Sequence, residues 1–172
     1  MSNKTATIIG LISDTHGLVR PEVFQALEGV SQILHAGDVG PASVLAELAA
    51  IAPVRAVWGN TDAPGRPDLV ERIEDVIDGV RIVVTHGHEL GSPTPPKLVG
   101  AYPNADVIVY GHTHQQLVTK AARRVVVNPG AAGPRRFKLQ PCVAKLYIWK
   151  GQADVELIPL SLPDELPELP TA

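Results

Sequence analysis

The sequence predicts an α/β fold made of two mixed β-sheets stacked face to face and flanked by α-helices, a four-layer sandwich. Three observations lead there. Over residues 7–58 short apolar runs alternate with helix-periodic segments, the pattern of an α/β sheet. From Leu117 onward apolar runs follow one another with no long helical segment between them, the pattern of hairpins. Five of the apolar runs end in small polar clusters rich in glycine, which puts a crevice at strand ends.

The elements follow in order. Thr7 to Ile12, Gln32 to Ala36 and Val54 to Trp58 read as buried parallel strands. The helix between the first two carries Val23, Phe24, Leu27 and Val30 on one face, with Pro21 near its start; the next carries Val44, Leu45, Leu48 and Ala49, with Pro41 in the same role. Leu69 to Ile77, the pair Asp78-Gly79 and Val80 to Thr85 read as a hairpin with a tight turn. Lys97 to Tyr102 is a short helix before a strand at Asp106 to Tyr110. Strands at Leu117 to Lys120, Val125 to Asn128, Cys142 to Trp149 and Ala153 to Leu160 complete the set. Residues 1–160 are expected to form a single domain, and 161–172, acidic and rich in proline, a loosely attached tail.

Composition narrows the function. A formal net charge of −3 and 4% aromatic residues argue against a nucleic-acid partner, which calls for a basic stripe or a stacking platform. No apolar stretch approaches the ~20 residues of a membrane helix, and the N-terminal residues have no signal-peptide pattern, so a cytoplasmic protein is expected. The lone Cys142 sits in an apolar run and reads as packing rather than as a nucleophile. A homo-oligomer is left open.

The chemistry lies in the clusters: Ser13-Asp14-Thr15-His16, Gly37-Asp38, Gly59-Asn60-Thr61-Asp62, His86-Gly87-His88 and Gly111-His112-Thr113-His114. All six histidines fall in these blocks or, for His35, just before one. Asp14 and His16 are two residues apart, which on extended backbone points both side chains the same way, and His112 and His114 repeat the spacing. Two aspartates, one asparagine and four histidines are too many donors for one four-coordinate ion and suit two ions sharing a ligand. Oxygen and imidazole donors without thiolate favour divalent transition metals, Mn²⁺ first, with Fe²⁺, Zn²⁺, Co²⁺ and Ni²⁺ as alternatives. Two such ions can generate a hydroxide nucleophile and clamp the oxygens of a phosphoryl group in an in-line displacement.

In that order, the five blocks, with Asn128-Pro129-Gly130 after them, resemble the calcineurin-like metallophosphoesterases, most of all their small capless bacterial and archaeal phosphodiesterase branch. The resemblance runs from about Ile8 to Gly130 and implies the metallo-dependent phosphatase fold. It implies that Asp14, His16, Asp38 and His114 bind one metal, and that Asp38 bridges to a second held also by Asn60, His86 and His112. It further implies that Asp38 and Asn60 position the nucleophile and the phosphate. The expected activity is hydrolysis of small phosphodiesters. Many members carry a histidine directly after the Gly-Asn pair, where this chain has Thr61, so catalysis should lean on the metals and favour good leaving groups. Alternatives within the same fold are a non-catalytic scaffold like a retromer subunit, or a nuclease or protein phosphatase.

Other residues have plainer readings. His35, inside a strand, is expected to hydrogen-bond nearby backbone. His88 either supports a ligand or, like Thr61, touches substrate. Asp62 and Glu89 are read as loop residues satisfying turns or helix starts. The pairs Arg123-Arg124 and Arg135-Arg136, with Lys138, are read as solvated cations.

Overall fold

The computed structural model describes residues 5–161. The expected tail, from residue 162 on, lies outside the described residues.

Two five-stranded mixed sheets form the molecule. The first has β1 (Thr7–Ile12), β2 (Gln32–His35), β3 (Val54–Ala56), β9 (Cys142–Trp149) and β10 (Gln152–Pro159), in the order β10-β9-β1-β2-β3. The second has β4 (Ile73–Ile77), β5 (Val80–Val84), β6 (Val107–Val109), β7 (Leu117–Ala121) and β8 (Arg124–Asn128), in the order β4-β5-β6-β8-β7. Within each sheet three strands run parallel, β1, β2 and β3 in one and β5, β6 and β8 in the other. β9 pairs antiparallel with β1, and β10, β4 and β7 pair antiparallel through hairpins with β9, β5 and β8.

Period-two patterning decides which residues meet between the sheets. Ile9 and Leu11 of β1, Leu34 of β2, Val107 and Val109 of β6, Val125 and Val127 of β8, and Leu146 of β9 share the core between them. The alternate residues face outward onto helices. Ile12 and Ile33 pack with Val23 of α1 (Glu22–Ala26) and with Val44 and Leu48 of α2 (Ser43–Ala49). Ile108 and Val126 pack with Leu98 of α3 (Pro95–Ala101). Each fully buried aliphatic side chain contributes roughly 1.5–3 kcal/mol. The four expected layers are present, but the helical layers are thin.

Several expected boundaries shift. The first helix has only 5 residues, and Phe24, expected on its buried face, is 40% exposed. Ala49, expected on the buried face of α2, is also exposed. β4 begins at Ile73 rather than Leu69, because Val70 instead makes an isolated parallel bridge to Val57. The Asp78-Gly79 turn is as expected: both residues have positive φ, 46° and 82°, the backbone of a two-residue hairpin loop. Among the described residues no helix is long and apolar enough to cross a membrane.

Since Leu146 is fully buried between the sheets, Leu146→Ala should destabilise the fold by about 3 kcal/mol. Val76→Ala, at a site 63% exposed, should change stability by less than about 0.5 kcal/mol. Urea unfolding midpoints of the two variants check this, and equal effects would contradict the packing.

Candidate metal centre

Every polar cluster follows the carboxyl end of a parallel strand. The loops after β1, β2 and β3 carry Asp14 and His16, Asp38, and Asn60; those after β5 and β6 carry His86, and His112 and His114. Since both sheets present the same ends on one side, five separate loops open into one crevice.

Side-chain geometry resolves two groups. In the first, Asp14 Oδ1 lies 3.3 Å from His114 Nε2 and 3.9 Å from His16 Nε2, and the two imidazole nitrogens are 3.3 Å apart. In the second, Asn60 Oδ1 lies 3.1 Å from His86 Nε2 and 3.0 Å from His112 Nδ1. Asp38 stands between them: its Oδ2 is 3.7 Å from His16 Nε2 and 3.3 Å from His86 Nε2. These distances place the seven expected residues side by side, and five of them, Asp14, His16, Asp38, His86 and His114, form two overlapping groups able to hold metal, a candidate binuclear His/Asp site.

The donors fit divalent cations. Asp14 Oδ2 accepts hydrogen bonds from the Ser13 hydroxyl at 2.6 Å and from the His112 amide at 3.2 Å, whereas the buried Oδ1 has no hydrogen-bond donor. Asp38 Oδ1 accepts from the Thr61 amide at 2.9 Å, which turns Oδ2 toward the histidines. His86 Nδ1 donates to the Ala36 carbonyl at 2.8 Å, so its Nε2 faces the site. Buried carboxylate and imidazole lone pairs aimed at a common point are what a cation satisfies and a packed core cannot.

Protonation follows the same geometry. Burial works to raise the Asp38 carboxyl, but the hydrogen bonds from His86 and Thr61 and the charge of His86 prevail and hold it well below the usual carboxylate range. For His86, burial opposes protonation, yet the Asp38 hydrogen bond and the Asp14 and Asp38 charges hold it above the ordinary imidazole value. Burial, joined by the charges of His114 and Arg136, lowers His16 against the pull of the same two carboxylates, and burial with the His86 charge lowers His112.

The reason the ligand pairs converge is not the expected one. Asp14, His16, Asp38, His112 and His114 all have left-handed backbone, with φ between 44° and 71°, so extended-strand alternation does not apply. Each such non-glycine residue costs of order 1–3 kcal/mol, and Asp and His are among the residues that tolerate it best. The loops also need close approach. A Cβ on Gly59 would sit 2.0 Å from Asp38 Oδ1, and one on Gly111 would sit 2.1 Å from Ser13 Oγ.

A further set of residues holds the loops. Asp62 accepts amide hydrogen bonds from Val39 and Gly40 at 3.0 Å and from Gly59 at 2.9 Å, tying the Asp38 and Asn60 loops together. Asn128 donates to the Gly111 carbonyl at 3.1 Å and to Thr113 Oγ1 at 3.0 Å, while its Oδ1 accepts from the Gly130 amide at 2.9 Å. The Asn-Pro-Gly turn was legible in sequence, but the partners of Asn128 were not. His35 Nδ1 accepts from the Gly37 amide, so its Nε2 donates to Thr15 Oγ1, whose hydroxyl donates to the Val39 carbonyl. His35 is therefore structural, as expected. Glu89 accepts from Thr85 and Tyr102.

Of the remaining candidates, Thr61 is exposed and engages the site through its backbone N–H. The His88 ring lies 5.3 Å from that of His86 and 6.3 Å from that of His112. Cys142 is far from these roles: it is fully buried, and burial pushes its thiol up to about 11.

Residues 8–151 match the family model of the calcineurin-like phosphoesterase superfamily domain. The chain is 35% identical over 163 residues to a probable metallophosphoesterase of Methanothermobacter thermautotrophicus, covering 91% of this chain and 94% of that one. It is 30% identical over 141 residues to a phosphodiesterase of Methanocaldococcus jannaschii, covering 71% and 82%. Among solved structures, Vps29 of Entamoeba histolytica complexed with zinc superposes with a TM-score of 0.73 at 19% identity, covering 89% of this chain and 99% of that one. That last likeness is one of fold.

His35 is neutral and buried, and burial lowers it from the ordinary 6.5 to about 4. The unfolded chain takes up this proton first as pH falls, so the stability that His35 contributes is present above pH 6.5 and is lost between 6.5 and about 4. The loss should reach about 3 kcal/mol. Urea unfolding of wild type and His35→Asn across this range checks it: the variant should show a correspondingly shallower pH slope.

Proposed function

As the chain belongs to the calcineurin-like phosphoesterase superfamily, we propose that it is a metal-dependent phosphodiesterase acting on small phosphodiesters. The observation that carries this reading is the position of Asp38 Oδ2 between the two donor groups, where one carboxylate oxygen serves both. Asp14, His16, Asp38 and His114 would hold one divalent ion, and Asp38, Asn60, His86 and His112 would hold the other. Mn²⁺ is favoured, since the donors are oxygen and imidazole without thiolate. When bound, such a pair of ions supplies a nucleophile from water at neutral pH and neutralises charge on the phosphoryl oxygens.

The chain's own groups do the rest. Asn60 turns Oδ1 toward His86 and His112, which directs its amide N–H groups to the opposite side, where a phosphoryl oxygen can accept from them. The Thr61 amide holds Asp38 in its bridging orientation. The Ser13 hydroxyl and the His112 amide do the same for Asp14. Two of these donors are backbone amides and the third is a fully buried hydroxyl, so the carboxylates need no reorganisation when substrate arrives. No imidazole follows Asn60, and Thr61 is no acid at neutral pH, so the leaving oxygen departs with little help from that position. His88, beside His86 and His112, is the remaining side chain placed to contact substrate.

A screen of phosphodiesters against phosphomonoesters, with metal-stripped and Mn²⁺-loaded protein, tests the reading: diester hydrolysis should appear only with metal. Asp38→Asn should lower kcat by more than about 100-fold, exceeding the loss in His16→Ala, because it weakens both ion sites at once. Near-normal turnover by Asp38→Asn would contradict the bridge.

Aryl diesters should be hydrolysed much faster than matched alkyl diesters, and Thr61→His should narrow that gap. Equal wild-type rates on the two substrates would mean that another group already protonates the leaving oxygen.

A further inference from the structure

The segment after β8 runs along the metal centre before it turns away. The Ala132 amide donates to the Ser13 carbonyl at 3.0 Å and the Gly133 amide to the Asp14 carbonyl at 3.2 Å. Arg20 Nε clamps the Gly133 carbonyl at 3.1 Å. The exposed turn Arg135-Arg136-Phe137-Lys138 follows at once, closed by the Leu139 amide on the Arg136 carbonyl at 3.2 Å. Three residues extend at most about 10 Å, so Arg136 stands at the rim of the crevice. Its charge is within electrostatic reach of His16.

Most guanidinium groups elsewhere are engaged. Arg55, Arg66, Arg72 and Arg81 pair with Asp75, Asp68, Glu74 and Asp106. Arg135, Arg136 and Lys138 meet no carboxylate among the described residues. Nor is the turn held by packing, since Phe137 is 92% exposed. The other basic cleft, lined by Arg81, Lys120, Arg123 and Lys150, lies at the opposite ends of the strands, and Asp106 and Asp154 neutralise two of its cations.

Charge then discriminates between substrates. Two divalent ions against Asp14 and Asp38 leave two positive charges, and the turn adds three more. A simple phosphodiester brings one negative charge to this pole. We infer that Arg136, flanked by Arg135 and Lys138, binds a second phosphate on the substrate, so that the preferred substrates are phosphodiesters bearing a further phosphate group. Arginine suits the task because its planar fork engages phosphate oxygens in pairs. This inference rests on the phosphodiesterase reading above and narrows it to a substrate class.

The test compares p-nitrophenyl thymidine phosphate with the same ester carrying a second phosphate on the free sugar hydroxyl, using Mn²⁺-loaded protein. Wild type should favour the doubly phosphorylated ester by about tenfold in kcat/KM, and the preference should shrink as salt rises. Arg136→Ala should lose that preference while hydrolysing the plain ester within about twofold of wild type, and Arg136→Lys should keep part of it. No wild-type preference, or an equal loss on both esters in Arg136→Ala, would overturn the inference and leave the phosphodiesterase reading standing. Failure of wild type to hydrolyse either ester would overturn both.

Discussion

Two buried carboxylates set the terms for the rest of this molecule. Asp14 is fully buried and Asp38 nearly so, and both follow strands whose core-facing residues are aliphatic. A carboxylate taken out of water has to be compensated by donors or by positive charge. The chain supplies donors to one oxygen of each, from Ser13 and His112 for Asp14 and from Thr61 for Asp38. The opposite oxygens are ringed by imidazoles. One oxygen of each carboxylate is thus held by the fold, and the other faces the imidazoles of the candidate metal site.

Holding that arrangement is costly for the backbone. Five of the residues at the site adopt left-handed conformations, and two glycines lie where any side chain would strike a ligand carboxylate or its supporting hydroxyl. Such strain persists only where surrounding structure over-determines it. Here the determinants are stiff on both sides. Beneath the loops, β-branched residues of β6 and β8 lock the strand ends in register. Around them, Asp62, Asn128 and the His35-Thr15 pair each tie two or more loop segments through backbone groups. Cross-sheet bonds, such as His86 to the Ala36 carbonyl, then join the two halves of the crevice.

Much of this was legible in sequence because it rests on periodicity and position. The continuous apolar runs around Val107-Ile108-Val109 and Val125-Val126-Val127 mark strands, and the polar blocks after apolar runs place the crevice. Other features depend on tertiary context and were not. Phe24 has helical spacing, yet a helix of 5 residues is too short for its whole apolar face to reach the sheet. The two-residue spacing of Asp14 and His16 suggests strand geometry, but nothing in an Asp-Thr-His string announces positive φ. The three amide partners of Asp62 come from two different loops, so no local pattern could have named them.

Charge is distributed in the same divided way. Along the strands and at the far end of the sandwich, cations and carboxylates cancel in pairs: Arg55 with Asp75, Arg72 with Glu74, Arg81 with Asp106, Lys120 with Asp154. Exposed pairs of this kind contribute little to stability, about 0–1 kcal/mol each. Their consequence is electrostatic, because they remove competing fields from most of the surface. The crevice carboxylates and the basic turn beside them lie outside these pairings, as do Arg123 and Lys150 of the far cleft. A chain with a net charge of −3 can therefore still present a positive pole to an anionic substrate.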